Sequence, residues 1–461
     1  MSMALDVLAA VFWGTLVLSL LVFVHEGGHF IAARAFGMRV TEFFLGLPFR
    51  HRISVKSRRL GTEFGITPLL LGGYNRICGM EGDADELLAR ALAIVQREGR
   101  VLATSLAAEL AIDEDRAYAL LGALVDMGSI RPHYDPARGE RPWQADFPAA
   151  FETLRRDGSL RSEYDPGHDF DGAGTTEAGD PRPVGDADAF FARETACTYR
   201  GKGLLARFVT LLAGPLVNIL LAFALVVGSL MVVGVQVNVN SNTLGGVAGG
   251  SPAEAAGLRG GDTILQVGGR DISDWKGLCE ALDRALEDGR DFAIAYQRDG
   301  ETFETTIDVP EGERLSVIGI NALMETYRLS FPEAALSALS YVGFVGGMVA
   351  RIIMPQHTIE VVSQSSSIVG ISAMASQAAA SGLSDLVLLT AAISLSLGFM
   401  NLLPIPPLDG GKILMEAVQP VMRRPLPSRA QAWLSYLGLA FFLFIFCFAI
   451  RNDIVRLMGL T

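Results

Sequence analysis

Apolar and polar positions along this chain fall into separate blocks. Val7 to Val24 is an uncharged run of eighteen residues, the length of a transmembrane helix. Leu204–Val235, Leu383–Leu403 and Leu434–Ile450 repeat the pattern and predict three more spans. Residues 330–355 are apolar too but are broken by Gly, Pro and Arg351, which predicts an amphipathic helix at the membrane interface. Residues 40–77 mix β-branched and aromatic residues with Gly and Pro, the mark of short strands or hairpins lying against the membrane. Three stretches with helical periodicity follow: Asp85–Arg97, Ala103–Leu110 and Asp113–Met127. With Gly128-Ser129-Ile130-Arg131-Pro132 after them, they read as a winged helix-turn-helix. The Asp-, Gly- and Pro-rich residues 155–190 read as a disordered linker, and residues 236–312 carry the strand and turn signals of a water-soluble domain.

The predicted architecture is a multi-pass α-helical membrane protein of about four transmembrane helices. Its order is first span 1–37, membrane-associated β region 38–80, winged-helix-like insertion 81–154 and flexible linker 155–200. A second span 201–235, a soluble domain 236–315, an interfacial segment 316–382 and a third span 383–412 follow. Residues 413–461 form a connection and the fourth span. Composition agrees: half of the 461 residues are hydrophobic, and the mean hydropathy is +0.35. A net charge of −12, with Arg116 alone among basic residues on the insertion's third helix, leaves no footprint for nucleic acid. A protein-contact or regulatory role fits that module better. Cys78, Cys197, Cys279 and Cys447 form no CxxC and read as buried apolar thiols. The first helix lacks a basic leader and a small-residue cleavage site, so it reads as retained.

Basic residues orient the spans. The cluster Arg50 to Arg59, then Arg200, Lys202 and Arg207, then Arg423, Arg424 and Arg429 all mark cytoplasmic connections. Both termini and the domain at 236–315 then lie outside the cytoplasm, with Arg451 and Arg456 as a minor contradiction.

The first span runs directly into His25-Glu26-Gly27-Gly28-His29. Positions i and i+4 share one helix face, so both imidazoles reach a single metal ion, and Glu26 lies close enough to touch a water there. A catalytic zinc takes three protein ligands and keeps a position for water. Asp409 suits the third place. It closes an apolar span on the side assigned to His25, just after Pro404, Pro406 and Pro407, where an ionisable group is costly unless paired or metal-bound. The competing reading makes Asp409 the N-cap of a helix starting at Lys412. His51, His133, His168 and His357 lack ligand spacing and read as surface residues.

Two resemblances follow. Leu244-Gly245-Gly246-Val247, Ser251-Pro252-Ala253-Glu254-Ala255-Ala256-Gly257-Leu258, Gly261-Asp262-Thr263-Ile264-Leu265 and Arg298-Asp299-Gly300 resemble a PDZ domain of bacterial proteases. Leu244, Gly245, Gly246 and Val247 would be its carboxylate-cradling loop for a peptide or C-terminus. The whole chain resembles the site-2 protease family of intramembrane zinc metalloproteases, in its bacterial regulator-of-sigma-E branch. His25-Glu26-x-x-His29, Gly72-Gly73-Tyr74, Gly214-x-x-x-Asn218 and Asn401-x-x-Pro404-x-Pro406-x-x-Asp409-Gly410 carry that resemblance. It implies that His25, His29 and Asp409 hold Zn2+, that Glu26 handles protons and that Asn401 positions the substrate backbone. It also implies that the 40–77 strands, with Gly72, Gly73 and Tyr74, hold unwound substrate, with Asn218 beside it.

Implied substrates are single-span proteins of the bacterial inner membrane, anti-sigma factors and signal-peptide remnants, cut near the cytoplasmic side with lipid all round. The chain departs from that pattern in having one PDZ-like segment, in the 81–154 insertion, and in Ser-Ser-Ile-Val-Gly-Ile at 366–371 where the family has a Ser-Gly-Pro stretch. Two other readings remain: a non-catalytic membrane scaffold that presents the PDZ domain, and a tethered regulator acting through the insertion.

Overall fold

A computed structural model describes residues 2–80, 85–142, 144, 146–309, 317–354, 356–357, 367–422 and 428–457. The chain divides into two compact units, residues 1–226 with 337–461, and residues 227–336.

In the larger unit, helix α1 (Ser2–Ala35) contains no proline and, apart from Asp6, no charge before Glu26, so nothing interrupts its hydrogen-bond ladder. It stops where Gly37 takes φ +70° and Met38 N–H returns to the Ala33 carbonyl. Four strands follow: β1 (Val40–Leu45), β2 (Ile53–Ser57), β3 (Thr62–Ile66) and β4 (Gly73–Ile77). They form one sheet in the order β2-β3-β1-β4, with β1 and β3 parallel and the other neighbours antiparallel. An aromatic cluster fixes this sheet on α1: Phe43 lies 4.7 Å from Phe23 and 5.1 Å from Phe30 between ring centres. Gly73 lets β4 come close, since a Cβ there would sit 2.9 Å from the Phe44 carbonyl oxygen and 3.4 Å from Phe23 Cα.

Next come α2 (Leu88–Glu98), β5 (Arg100–Leu102), α3 (Ala103–Leu110), α4 (Glu114–Asp126), β6 (Ile130–His133) and β7 (Ala150–Thr153). The strands pair in the order β5-β7-β6, and the helices close over them around Leu92, Leu106, Leu121 and Phe151. Asp113 caps α4 by accepting from Arg116 N–H. All three helices match their predicted ranges to within a few residues.

The linker expected at 155–200 is corrected. Arg156, Ser162 and Glu194 are fully buried, and α5 (Ala187–Ala196) packs against α2. Glu194 is held by Arg39 at 2.7 Å, by Arg156 at 2.9 Å and by the Ser129 hydroxyl at 2.9 Å, and Arg39 also pairs with Asp165 at 2.7 Å. These charges are satisfied by partners far away in sequence. Burial opposes the charge on Glu194, but the Arg39 and Arg156 guanidiniums prevail and hold its carboxyl well below its ordinary 4.5. A carboxyl so depressed stabilises the fold above its unfolded pKa and loses that contribution as the pH falls through the folded value. Glu194→Gln is therefore expected to cost about 3–5 kcal/mol at neutral pH, because it leaves buried Arg156 without a carboxylate and Arg39 with Asp165 alone. The deficit relative to wild type should shrink below about pH 4. Limited proteolysis of the detergent-solubilised chain at pH 7 and in acid checks both.

His168, expected at the surface, is buried, with Nδ1 2.9 Å from the Asp165 carbonyl oxygen. Of the cysteines Cys78 fits the buried reading, its thiol pushed up to about 12 by burial, whereas Cys447 is exposed.

The remaining helices of this unit are α6 (Leu204–Val232), which runs on into the smaller unit, α9 (Phe331–Ala350), which begins there, α10 (Ile368–Ser381), α11 (Leu383–Asn401), α12 (Asp409–Met422) and α13 (Ser428–Leu457). Five helices among the described residues, α1, α6, α9, α11 and α13, are long and apolar enough to cross a membrane. The fifth, beyond the four expected, is α9, which continues through Gly343, Gly346 and Gly347 without a break. Gly346 lets it approach Phe399 of α11. Ser367, in the departing stretch, caps α10, and buried Asp453 near the end of α13 accepts from Ser367 and Gly370 N–H. Residues 423–427, which hold two of the orienting arginines, lie outside the described residues.

The smaller unit contains β8 (Val235–Asn238), β9 (Leu244–Val247), α7 (Pro252–Ala255), β10 (Thr263–Val267), β11 (Arg270–Asp271), α8 (Trp275–Glu287), β12 (Phe292–Arg298), β13 (Glu301–Ile307), β14 (Ile320–Ala322) and β15 (Met324–Tyr327). A sheet in the order β11-β10-β12-β13 packs around Leu258, Ile264, Leu278, Ile294 and Ile307. The cradle expected at Leu244–Val247 is corrected: these residues are strand β9, paired with β14. Leu244 is buried, and its N–H already donates to the Asp262 carbonyl.

Candidate metal centre

His25 and His29 stand one turn apart on α1, both buried. Asp409 arrives from the other end of the chain as the first residue of α12, three residues earlier than the alternative capping reading places a helix start. Its Oδ2 lies 3.0 Å from His25 Nε2 and 3.2 Å from His29 Nε2, and the two Nε2 atoms are 3.2 Å apart. Among the described residues this is the one cluster of three such groups within ligand distance of one another.

The surroundings fix which ring nitrogens face inward. His29 Nδ1 is 2.7 Å from the Thr210 carbonyl oxygen, which can only accept, so Nδ1 carries the proton and Nε2 presents a lone pair. His25 Nδ1 faces the side-chain amide of buried Asn218 at 3.4 Å, and Asn218 Oδ1 has no partner among the described residues. A half-turn of that amide brings Oδ1 to Nδ1–H and satisfies both. Two lone-pair nitrogens and a carboxylate oxygen then converge with no proton between them, an arrangement that repels itself unless a cation joins it. Tetrahedral zinc with bonds of about 2.0–2.1 Å spaces its ligand atoms roughly 3.3 Å apart, close to the observed triangle. The donor set fits zinc.

Glycines make this convergence possible. A Cβ on Gly214 would run into the His29 ring, and one on Gly28 into the Ala213 carbonyl, so α1 and α6 touch backbone to backbone. That gives the Gly214-x-x-x-Asn218 spacing its physical content: the glycine admits one ligand ring, and one turn later the asparagine meets the other. Pro215, inside α6, lies between them. Arg207 of α6 pairs with Glu416 of α12 at 2.8 Å, tying the helix that orients His29 to the helix that carries Asp409. Met38, Val40, Ile77, Tyr199 and Leu211 form a common core beneath.

Glu26 is half-buried next to the cluster, with Oε2 accepting from Asn75 at 2.7 Å. Sequence reasoning passed over Asn75, whose only local signal is a polar residue two places after Gly73. Thr210 was missed as well, because a main-chain carbonyl leaves no trace in residue type. Gly72, at φ +121°, donates its N–H to Ser19 of α1, and Tyr74 stacks on Phe44 with ring centres 5.3 Å apart. Asn401 turns back along its own helix and donates to the Leu397 carbonyl at 3.0 Å.

A profile described as peptidase family M50 matches residues 13–445. Zinc metalloprotease RasP of Shouchella clausii is 26% identical over 461 aligned residues, covering 96% of this chain and 98% of its own. A relative in Enterococcus faecalis described as "Probable protease eep" is 25% identical, with 96% and 97% covered.

Proposed function

Since this chain belongs to peptidase family M50 and is a zinc-dependent protease, we propose that it cuts peptide bonds within or near the transmembrane segment of single-span membrane proteins. The observation that carries this is the meeting of His25, His29 and Asp409, 384 residues apart at the extremes, at the end of an apolar helix long enough to span a bilayer. A scaffold that only presented the 236–315 domain would leave that convergence unexplained.

His25, His29 and Asp409 would hold the zinc, which when bound would supply Lewis acidity to the scissile carbonyl and to the attacking water. Glu26 accepts the proton of that water as it attacks and delivers it to the departing amine. The Thr210 carbonyl and Asn218 keep both imidazoles turned with Nε2 inward. Asn401 spends one N–H on the Leu397 carbonyl and keeps its other N–H and its Oδ1 for the substrate backbone. The outer edge of β4, unpaired among the described residues, suits a substrate chain that has unwound and added as a strand.

The site faces the cytoplasm of a bacterial inner membrane on this reading, with the 236–315 unit outside. That unit's strand order and its Ser251-Pro252-Ala253 turn support a PDZ domain for a peptide or C-terminus. The order helix, strand, helix, helix, strand, strand over 88–153 supports a winged helix, and acidic Glu114 and Asp115 at the start of α4 argue against nucleic acid as its partner. Anti-sigma factors and signal-peptide remnants are the proposed substrates.

The test is cleavage of a fluorogenic peptide containing one transmembrane segment by the full-length chain in detergent micelles. Cleavage should stop with 1,10-phenanthroline and return on adding zinc. Cleavage that survives complete zinc removal overturns the mechanism.

A further inference from the structure

The proton-handling carboxylate is held by a residue that no motif of this chain includes. Asn75 Nδ2 donates to Glu26 Oε2 at 2.7 Å and to the Glu26 main-chain oxygen at 3.0 Å. Both partners only accept, so chemistry fixes which end of the amide faces them. One NH2 group thus grips the same residue at its backbone and at its tip, which removes the rotamer freedom of a long side chain.

We propose that Asn75 is the positioning residue of the general base: it occupies Oε2 of Glu26 and so reserves Oε1 for the water and for the proton. The inference rests on the protease reading above and deepens it.

Three features of the site support the assignment. Asn75 stands on β4 opposite Phe43, whose ring packs on Phe23 and Phe30 of α1, so the strand that carries the amide is locked to the helix that carries the carboxylate. Gly73, two residues earlier, sets how closely β4 approaches Phe23, and a short amide then spans the gap. The amide is also uncharged. A lysine in its place would pair with the carboxylate and hold it away from the proton, and an aspartate would repel it. A neutral donor orients the base and leaves its charge intact.

β4 is also an edge strand among the described residues, so Glu26 is hitched to a strand whose outer edge pairs with no other strand there.

The experiment uses the full-length chain in detergent micelles, loaded with zinc, and the same single-span fluorogenic peptide. Asn75→Leu keeps the approximate size and removes the donor. The expected result is a kcat about 10–100-fold lower, the scale on which misplaced catalytic groups act, with KM within about twofold and zinc content unchanged. Glu26→Asp draws the carboxylate back from Asn75, so adding Asn75→Leu to Glu26→Asp should cost less than about threefold. A structural role predicts instead an equal loss in both backgrounds, or loss of zinc, and either result overturns the proposal. So does an unchanged kcat.

A second readout needs no turnover. The infrared difference between wild type and Glu26→Gln isolates the Glu26 carboxylate band, and Asn75→Leu should shift it. An unmoved band overturns the proposal even if the peptide is never cut. Failure of the wild type to cut the peptide, with the band shifted, would overturn the substrate reading alone.

Discussion

Glu26→Gln is expected to abolish cleavage while zinc content stays at the wild-type level. The substitution preserves length and shape, and the new amide oxygen can still accept from Asn75, so the hold of β4 on α1 survives. None of the three converging ligand atoms is touched. What disappears is the ability to take up a proton, since a carboxamide is not a base at any accessible pH. General acid–base groups contribute about 10²–10⁴-fold, and here one group serves both the attack and the departure of the amine, so the loss should reach the top of that range. Turnover of the fluorogenic peptide together with zinc analysis of the same preparation checks it. Wild-type turnover by this variant would remove Glu26 from the mechanism. The same variant, expressed in cells, should retain bound substrate and so reveal which membrane proteins the chain cuts.

Sequence was a good guide wherever function is written in local spacing. The His25/His29 face follows from helical geometry alone, and Asp409, a carboxylate closing an apolar span, stood out against its capping reading only beside that pair. The helices α2, α3 and α4 were legible because each buries a stripe at the helical period. Failures came where partners are remote. The composition of 155–190 signals disorder because it lacks apolar residues, yet its charges are neutralised by Arg39, over a hundred residues upstream, and by Glu194. No periodicity records such a pairing. Leu244–Val247 misled for a different reason: two glycines suggest a loop, but they lie in a strand where Gly245 fits against the Ala322 carbonyl. Gly214 shows the reverse, a glycine whose purpose emerges only when the His29 ring is seen resting on it. The interruptions in α9 were overread, since glycine weakens a helix by about 1 kcal/mol without ending it.

Asp409→Ala should remove zinc and activity together, which separates it from Glu26→Gln. The two imidazoles remain in place, turned inward by Thr210 and Asn218, but two neutral nitrogens make a poor site for a divalent cation. Loss of an outer-shell partner costs about 10–100-fold in metal affinity. A directly bound carboxylate that also supplies charge should cost more, so zinc should dissociate on dialysis. The fold should persist. Asp409 is the first residue of α12, where its charge favours the helix N-terminus by only about 0.3–1 kcal/mol. The helix keeps its seat through Arg207–Glu416, and Gly410 and Gly411 remain packed against the 402–406 turn. Asp409→Asn discriminates further, since it retains one oxygen in place but not the charge, and it should bind zinc with intermediate affinity. Chelator competition on all three proteins orders them. An Asp409→Ala protein holding zinc as tightly as wild type would mean that the 3.0 Å approach to His25 is an ordinary hydrogen bond, and the third ligand would have to be sought elsewhere.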